Sequence, residues 1–294
     1  MLFRSAGIPG GTELRALVFL TIALTVAQAG LTAGPIGHFL GVRLRRRDTV
    51  AILGAQTLGL ALAEELRRGG VPVLFIDSNP GGIRRAEEEG FAAVYGNALQ
   101  ESVMERARIG FVKTVVALTP NQTLNGVFVG RARERFGVPS GLIAVSDTGG
   151  LVSEQVGSGQ AEIVFEGPHD VERWDVRGRR GDVGVEHFVR APEDTEGDAS
   201  ETSGSVPKTA GLSESSVILA VEREAATSPM HSRWRFRPGD RIAVAIHGPE
   251  REDALRALAA KGWEPDRRAG EPVPNTEPET GNGGEEEPAE TAHA

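Results

Sequence analysis

The 294-residue chain has no cysteine. That excludes disulfides, thiolate metal sites and a cysteine nucleophile together. Its six histidines, His38, His169, His187, His231, His247 and His293, form no H-E-x-x-H or H-x3–5-H pair, so histidine-based metal binding is not indicated. An excess of positive charge is missing as well. Asp and Glu number 41 against 32 Lys and Arg, a formal net charge of −9. Coulomb repulsion from a phosphate backbone then disfavours general nucleic-acid binding.

Charge is absent altogether from Ala16 to Val42, a run of ALVFLTIALTVAQAGLTAGPIGHFLGV. A bilayer core of roughly 30 Å needs about 20 apolar residues in a helix, and this run is long enough. Arg43, Arg45, Arg46 and Arg47 follow at once, which by the positive-inside rule puts the C-terminal side in the cytoplasm. Gly34-Pro35 suggests a kink or helix end near that face, since proline has no N–H to donate. Two other readings are a signal peptide cut after Ala27-Gln28-Ala29 and a buried soluble helix. The first expects no apolar run beyond the cut, and the second needs a core to cover the helix on all sides. Residues 1–47 are therefore read as a transmembrane helix with a cytoplasmic arginine cluster, at the inner membrane.

Beyond the arginines, short apolar strands alternate with helical stretches. Strands are expected at 48–55, 71–78, 91–97, 111–120, 141–147 and 161–167. Helices are expected at 57–70, 80–90, 101–109 and 124–137, with a weak one between the last two strands. Near-continuous Val, Ile and Leu strands separated by helices mean a parallel sheet covered on both faces. Right-handed crossovers make that an α/β, Rossmann-type doubly wound sheet over 48–167.

The first strand–helix turn reads Gly54-Ala55-Gln56-Thr57-Leu58-Gly59. This is G-x-G-x-x-G with Gln56 at the second glycine. Gly54 permits the tight turn and Gly59 close helix–strand packing, whereas the missing glycine is the one that lets backbone approach a pyrophosphate. Asp77 ends the second strand, where an acid accepts hydrogen bonds from a ribose hydroxyl. It favours an unphosphorylated ribose, so NAD, NADH or an adenine nucleotide over NADP. Arg84 and Arg85 could serve a phosphate, but their helix reads better as a solvated face. The competing reading of the fingerprint is a Rossmann fold with a degenerate site.

IDSNPGGIRRAEEEGFAAVYGNALQESVMERARI followed by VVALTPNQTLN resembles the RCK domain, also called KTN or TrkA-N. The resemblance covers roughly residues 49–147. That family's strand-ending Asp falls at Asp77, its Gly-Asp-Ala at Gly96-Asn97-Ala98, and its Thr-x-x-Asp-x-x-Asn segment at Thr119 to Asn125. Two acids of the pattern are amides or shifted here. The resemblance implies a ligand-sensing, dimer-forming domain controlling a K+ or Na+ pathway. It implies nucleotide contacts from Gly54, Gln56, Thr57, Gly59, Asp77 and Ser78, and from Asn97, Ala98, Thr119 and Asn125. The apolar run with its flanks is similar to the last membrane helix of bacterial cation:proton antiporters of the NhaP kind, in which an RCK-type domain often follows directly.

Residues 168–213 read as an irregular segment, with Trp174 and a basic run at Arg177, Arg179 and Arg180 on a solvated turn, followed by a flexible acidic linker. Strands at 215–224 and 230–247 and a helix at 250–262 form a small α+β unit over 214–264, with a turn at Arg237-Pro238-Gly239-Asp240. It resembles a reduced C-terminal RCK subdomain. Residues 265–294 read as a disordered acidic tail.

Three functions fit these features. The first is a cytoplasmic nucleotide-sensing module of a monovalent cation/proton antiporter, homodimeric and partnered by a transport domain, most of which this chain is expected to lack. The second is a membrane-tethered NAD-dependent oxidoreductase. It needs a proton donor beside the nicotinamide, yet the only tyrosine is Tyr95 and position 99 is Leu99 rather than lysine. The third is a peripheral regulator of potassium uptake. Differential affinity for two conformations suffices for a sensor, with no catalytic residue and no metal, and the first reading is preferred.

Overall fold

A computed structural model describes residues 11–39, 48–146, 159–191 and 214–267. The expected weak helix near 147–160, the arginine cluster at 43–47, most of the acidic linker and nearly all of the tail lie outside the described residues. The chain divides into two compact units, 1–48 and 49–294.

The first unit holds one helix, α1 (Gly11–Phe39). It runs on past Gly34-Pro35, so no helix end falls there. From Leu14 to Gln28 every side chain is exposed, Phe19 and Leu20 among them. The Thr21 hydroxyl donates to the Leu17 carbonyl at 2.8 Å and that of Thr25 to the Thr21 carbonyl at 2.9 Å, so both are satisfied by the helix itself. Among the described residues no helix is long and apolar enough to cross a membrane. Side chains are described only over 14–28, about 22 Å of helix against a bilayer core of roughly 30 Å.

The second unit is built on two sheets. β1 (Val50–Leu53), β2 (Val73–Asp77), β3 (Ala92–Tyr95), β4 (Thr114–Ala117), β5 (Ser140–Ile143) and β6 (Glu162–Ile163) pair in parallel, in the order β3-β2-β1-β4-β5-β6. Between them run α2 (Thr57–Arg68), α3 (Pro80–Glu88), α4 (Glu101–Arg106) and α5 (Gln122–Phe136). Central β1 and β4 are buried at every position, as strands covered on both faces require. The chain reverses direction of winding between β1 and β4, which makes the crevice at their carboxyl ends the switch point.

After β6 the structure departs from the expected irregular segment. Residues 168–190 form α6 (Val171–Arg179) and β7 (Val183–Arg190). Trp174 and Arg177 are buried rather than solvated. The basic run hid this: α6 has only Val171 and Trp174 as buried apolar anchors. β7 joins β8 (Ser216–Arg223), β9 (Ala226–Pro229), β10 (Arg241–His247) and β11 (Trp263–Pro265) in an antiparallel sheet of order β11-β7-β10-β8-β9. The small sheet therefore begins near 183, ahead of 214. Strand β10 starts after the Pro238-Gly239 turn, where Gly239 has φ +83°, and 230–240 is not strand.

One buried cluster runs through both sheets. It joins Ile52, Phe75 and Val116 of the parallel sheet to Leu58, Leu62 and Leu66 of α2, Trp174 of α6, and Val217, Leu219 and Ala245 of the antiparallel sheet. α2 packs against β1, β2, β8, β9, β10 and α6. A second cluster lies on the other face of the parallel sheet under α4 and α5. A third covers the far face of the antiparallel sheet, where Leu258 of α7 (Arg251–Ala259) meets Trp263 and Met230.

Candidate functional site

The β1–α2 turn has the geometry its glycines predict. Gly54 has φ +104°, and a Cβ there would lie 2.9 Å from the Leu118 carbonyl oxygen at the end of β4. A Cβ on Gly59 would lie 2.4 Å from the Gly54 carbonyl oxygen, so the first turn of α2 is pressed against the loop it leaves. Gln56 takes the N-cap position in extended conformation but makes no side-chain cap, and its Oε1 is buried with no hydrogen-bond partner among the described residues.

Asp77 reaches across to this turn. Its Oδ2 accepts from the Ala55 N–H at 2.8 Å and its Oδ1 from the Asn79 N–H at 2.8 Å. The carboxylate is partly exposed at the mouth of the crevice, and each oxygen keeps capacity for a further donor. Gly82, in the first turn of α3, would place a Cβ 3.0 Å from Asp77 Oδ2. Ser78 is exposed beside it.

The remaining candidates fall into two kinds. Asn97 is exposed; its Oδ1 accepts from the Leu99 N–H at 2.9 Å, closing an Asx turn after β3, with Ala98 buried beneath. Asn125 is fully buried and committed to structure. Its Oδ1 accepts from the Thr119 hydroxyl at 2.6 Å, and its Nδ2 donates to the carbonyls of Thr119 at 2.8 Å and Ala144 at 3.2 Å. It ties the ends of β4 and β5 together and positions Thr119, whose side chain is already donated inward. Gly54, Gln56, Thr57 and Gly59 thus lie at the β1–α2 turn with Asp77 of β2 bonded across to it, whereas Asn97 and Ala98 belong to the β3 edge.

One residue at this turn was not expected. Asp175 of α6 is buried, and its Oδ1 accepts from the Thr57 hydroxyl at 3.1 Å and the Thr57 N–H at 3.3 Å. Its Oδ2 accepts from Arg179 Nε at 2.9 Å. Burial works to raise its pKa, but the hydrogen bonds from Arg179 and Thr57 outweigh it and hold the carboxyl below the ordinary value. The only sequence signal was the Asp175–Arg179 spacing of four, which marks a helical ion pair without naming its target.

For a dinucleotide the two halves of the site differ. The Asp77 carboxylate stands where an acid can accept from a ribose hydroxyl. The start of α2, where a pyrophosphate would take backbone N–H groups, holds the Gln56 side chain and the Asp175 carboxylate instead.

Among solved structures, the TrkA-N domain of the inner membrane protein YbaL from Escherichia coli is 20% identical, covering 46% of this chain and 95% of its own, at a TM-score of 0.35. The GsuK RCK domain is 17% identical, covering 73% of this chain and 47% of its own, at 0.36. The GsuK channel bound to NAD is 15% identical, covering 86% and 48%, at 0.35. No curated protein sequence matches the chain. Residues 50–149, about a third of the chain, match the TrkA-N domain family.

Proposed function

We propose that the chain is the cytoplasmic nucleotide-sensing part of a membrane monovalent cation/proton antiporter, binding NAD, NADH or an adenine nucleotide without turning it over. The observation that carries the nucleotide is Asp77, held 2.8 Å from the Ala55 N–H at the Gly54 turn, where an adenosine ribose would find its acceptor. Gly54, Gly59, Asp77 and Ser78 would hold the adenosine half, and Gln56 and Thr57 the first phosphate. Asn97, Ala98 and Thr119 would line the outer part of the crevice, with Asn125 bracing Thr119.

The membrane assignment is supported by α1, whose apolar side chains from Leu14 to Val26 are exposed among the described residues. The run continues uncharged to Val42 before the arginines begin. The transport domain, the homodimer contact and the resemblance of the antiparallel sheet to an RCK C-terminal subdomain belong to the same reading. Nucleotide binding at the switch point would favour one arrangement of the sensor and bias α1 through residues 40–48.

Calorimetric titration of NADH, NAD, ADP and ATP into the full chain tests the nucleotide. At least one should bind, and Asp77→Ala should weaken it by about tenfold or more, the value of a charge-assisted hydrogen bond. Equal affinity in Asp77→Ala would remove the adenosine assignment, and an absence of binding by all four would leave a dimerisation scaffold.

A further inference from the structure

The start of α2 is not vacant. Its Thr57 N–H and hydroxyl both point to Asp175, a carboxylate only 2% exposed. The helix carrying that carboxylate is seated directly on the turn, since a Cβ on Gly178 would lie 2.1 Å from Thr57 Oγ1. An anion already answers the positive end of the α2 dipole there.

We propose that Asp175 is an internal competitor for the nucleotide's phosphate, so that binding at the β1–α2 turn requires α6 to withdraw and thereby reaches the antiparallel sheet. This rests on the nucleotide reading above and adds how the site is regulated. A phosphate and a carboxylate cannot both take the same N–H and hydroxyl, and as like charges they repel at that distance. The phosphate therefore has its higher affinity for the state in which α6 has moved away, and the free protein favours the state in which it has not.

The consequence travels by direct connections. Arg177 of α6 is buried and donates to the Glu214 carbonyl at 2.8 Å, two residues before β8 begins. The Asp182 N–H, one residue before β7, donates to the Arg177 carbonyl at 3.1 Å. Withdrawing α6 breaks or drags both ties, on neighbours of the central strand β10. Gln56 Oε1 at the same turn is buried with no hydrogen-bond partner among the described residues. Asp175 is a gating residue in this scheme, distinct from the ribose acceptor Asp77.

The test is ADP and NADH titration by calorimetry into the full chain and its Asp175→Asn and Asp175→Ala forms, with hydrogen exchange of residues 171–179 followed with and without ADP. Asp175→Asn keeps an oxygen for Thr57 but removes the charge, so it preserves the fold if Asp175→Ala does not. The expected result is affinity at least about fivefold tighter in both variants, and faster exchange of α6 in the original chain once ADP is added. Nucleotide binding by the original chain with unchanged or weaker affinity in both variants would overturn the proposal while leaving the nucleotide reading intact. Binding by Asp175→Asn alone, with none by the original chain, would support both. No binding by any form would remove the nucleotide reading and this inference with it.

Discussion

Three helices begin at the carboxyl edge of the parallel sheet beside the crevice, and they are capped in two different ways. α3 and α5 are capped from within a few residues by neutral amides. Asn79 Oδ1 accepts from the Gly81 N–H at 2.8 Å, and Asn121 Oδ1 accepts from the Leu124 N–H at 3.0 Å. α2 has no local side-chain cap and is served by a charged group 118 positions away in sequence. A local cap forms together with its helix. A distant one is satisfied only when two separately formed elements have docked, so the α2 terminus reports on the assembled fold and the other two do not.

The largest effect should come from removing the packing that brings the distant cap into place. Trp174→Ala deletes a fully buried ring in the cluster shared by both sheets, and urea unfolding should show a loss of about 3–5 kcal/mol. A loss under about 1 kcal/mol would mean that α6 is not packed on α2, and the contrast between the caps would disappear.

Next in size is the cap itself. Asp175→Ala leaves the Thr57 N–H and hydroxyl without their acceptor, and should cost about 2 kcal/mol. Asn79→Ala and Asn121→Ala should each cost about 1 kcal/mol by the same measurement. Equal losses at all three would make the distant cap ordinary.

The smallest effect separates charge from position. The Asp175 carboxyl titrates below its ordinary 3.8 in the fold, because the hydrogen bonds from Arg179 and Thr57 overcome the opposing effect of burial. A depressed carboxyl pKa stabilises the fold above the unfolded value, and that contribution is lost as pH falls through the folded value. The stability difference between the original chain and Asp175→Asn should thus stay constant from neutrality to about pH 5 and shrink below about pH 4. The differences for Asn79→Ala and Asn121→Ala should stay flat, since amides do not titrate. Asp240, also held low by burial-opposing bonds from Arg223, is common to both members of the Asp175 pair and cancels.

The same contrast explains how far the chain could be read from its letters. The Gly54 turn, the Gly59 approach and the placement of Asp77 are set by spacing within about two dozen residues and by continuous apolar strands, so they were legible. Asn125 was legible as a position but not as a role, because its burial follows from where the end of β5 lies. α6 and β7 carry weak local signals for a physical reason: α6 has only Val171 and Trp174 as buried apolar anchors, β7 buries only Phe188 fully, and the charges of Arg177, Arg179 and Arg180 resemble a solvated turn. That Arg177 is buried and Asp175 meets Thr57 depends on tertiary docking, which no local pattern encodes. The uncharged run from Ala16 to Val42 is legible as composition, while among the described residues no helix is long and apolar enough to cross a membrane.

α2 is walled by a sheet on either side, and this bears on where the protein can be cut. The stretch that matches a domain family ends at 149, but the helix at its first turn shares a buried cluster with Val217, Leu219 and Ala245. A fragment trimmed to the family boundary would strip that flank of α2 bare and lose the acceptor at its start. The family-matched stretch is shorter than the region that shares α2's buried cluster, and heat or denaturant should melt both sheets in one transition.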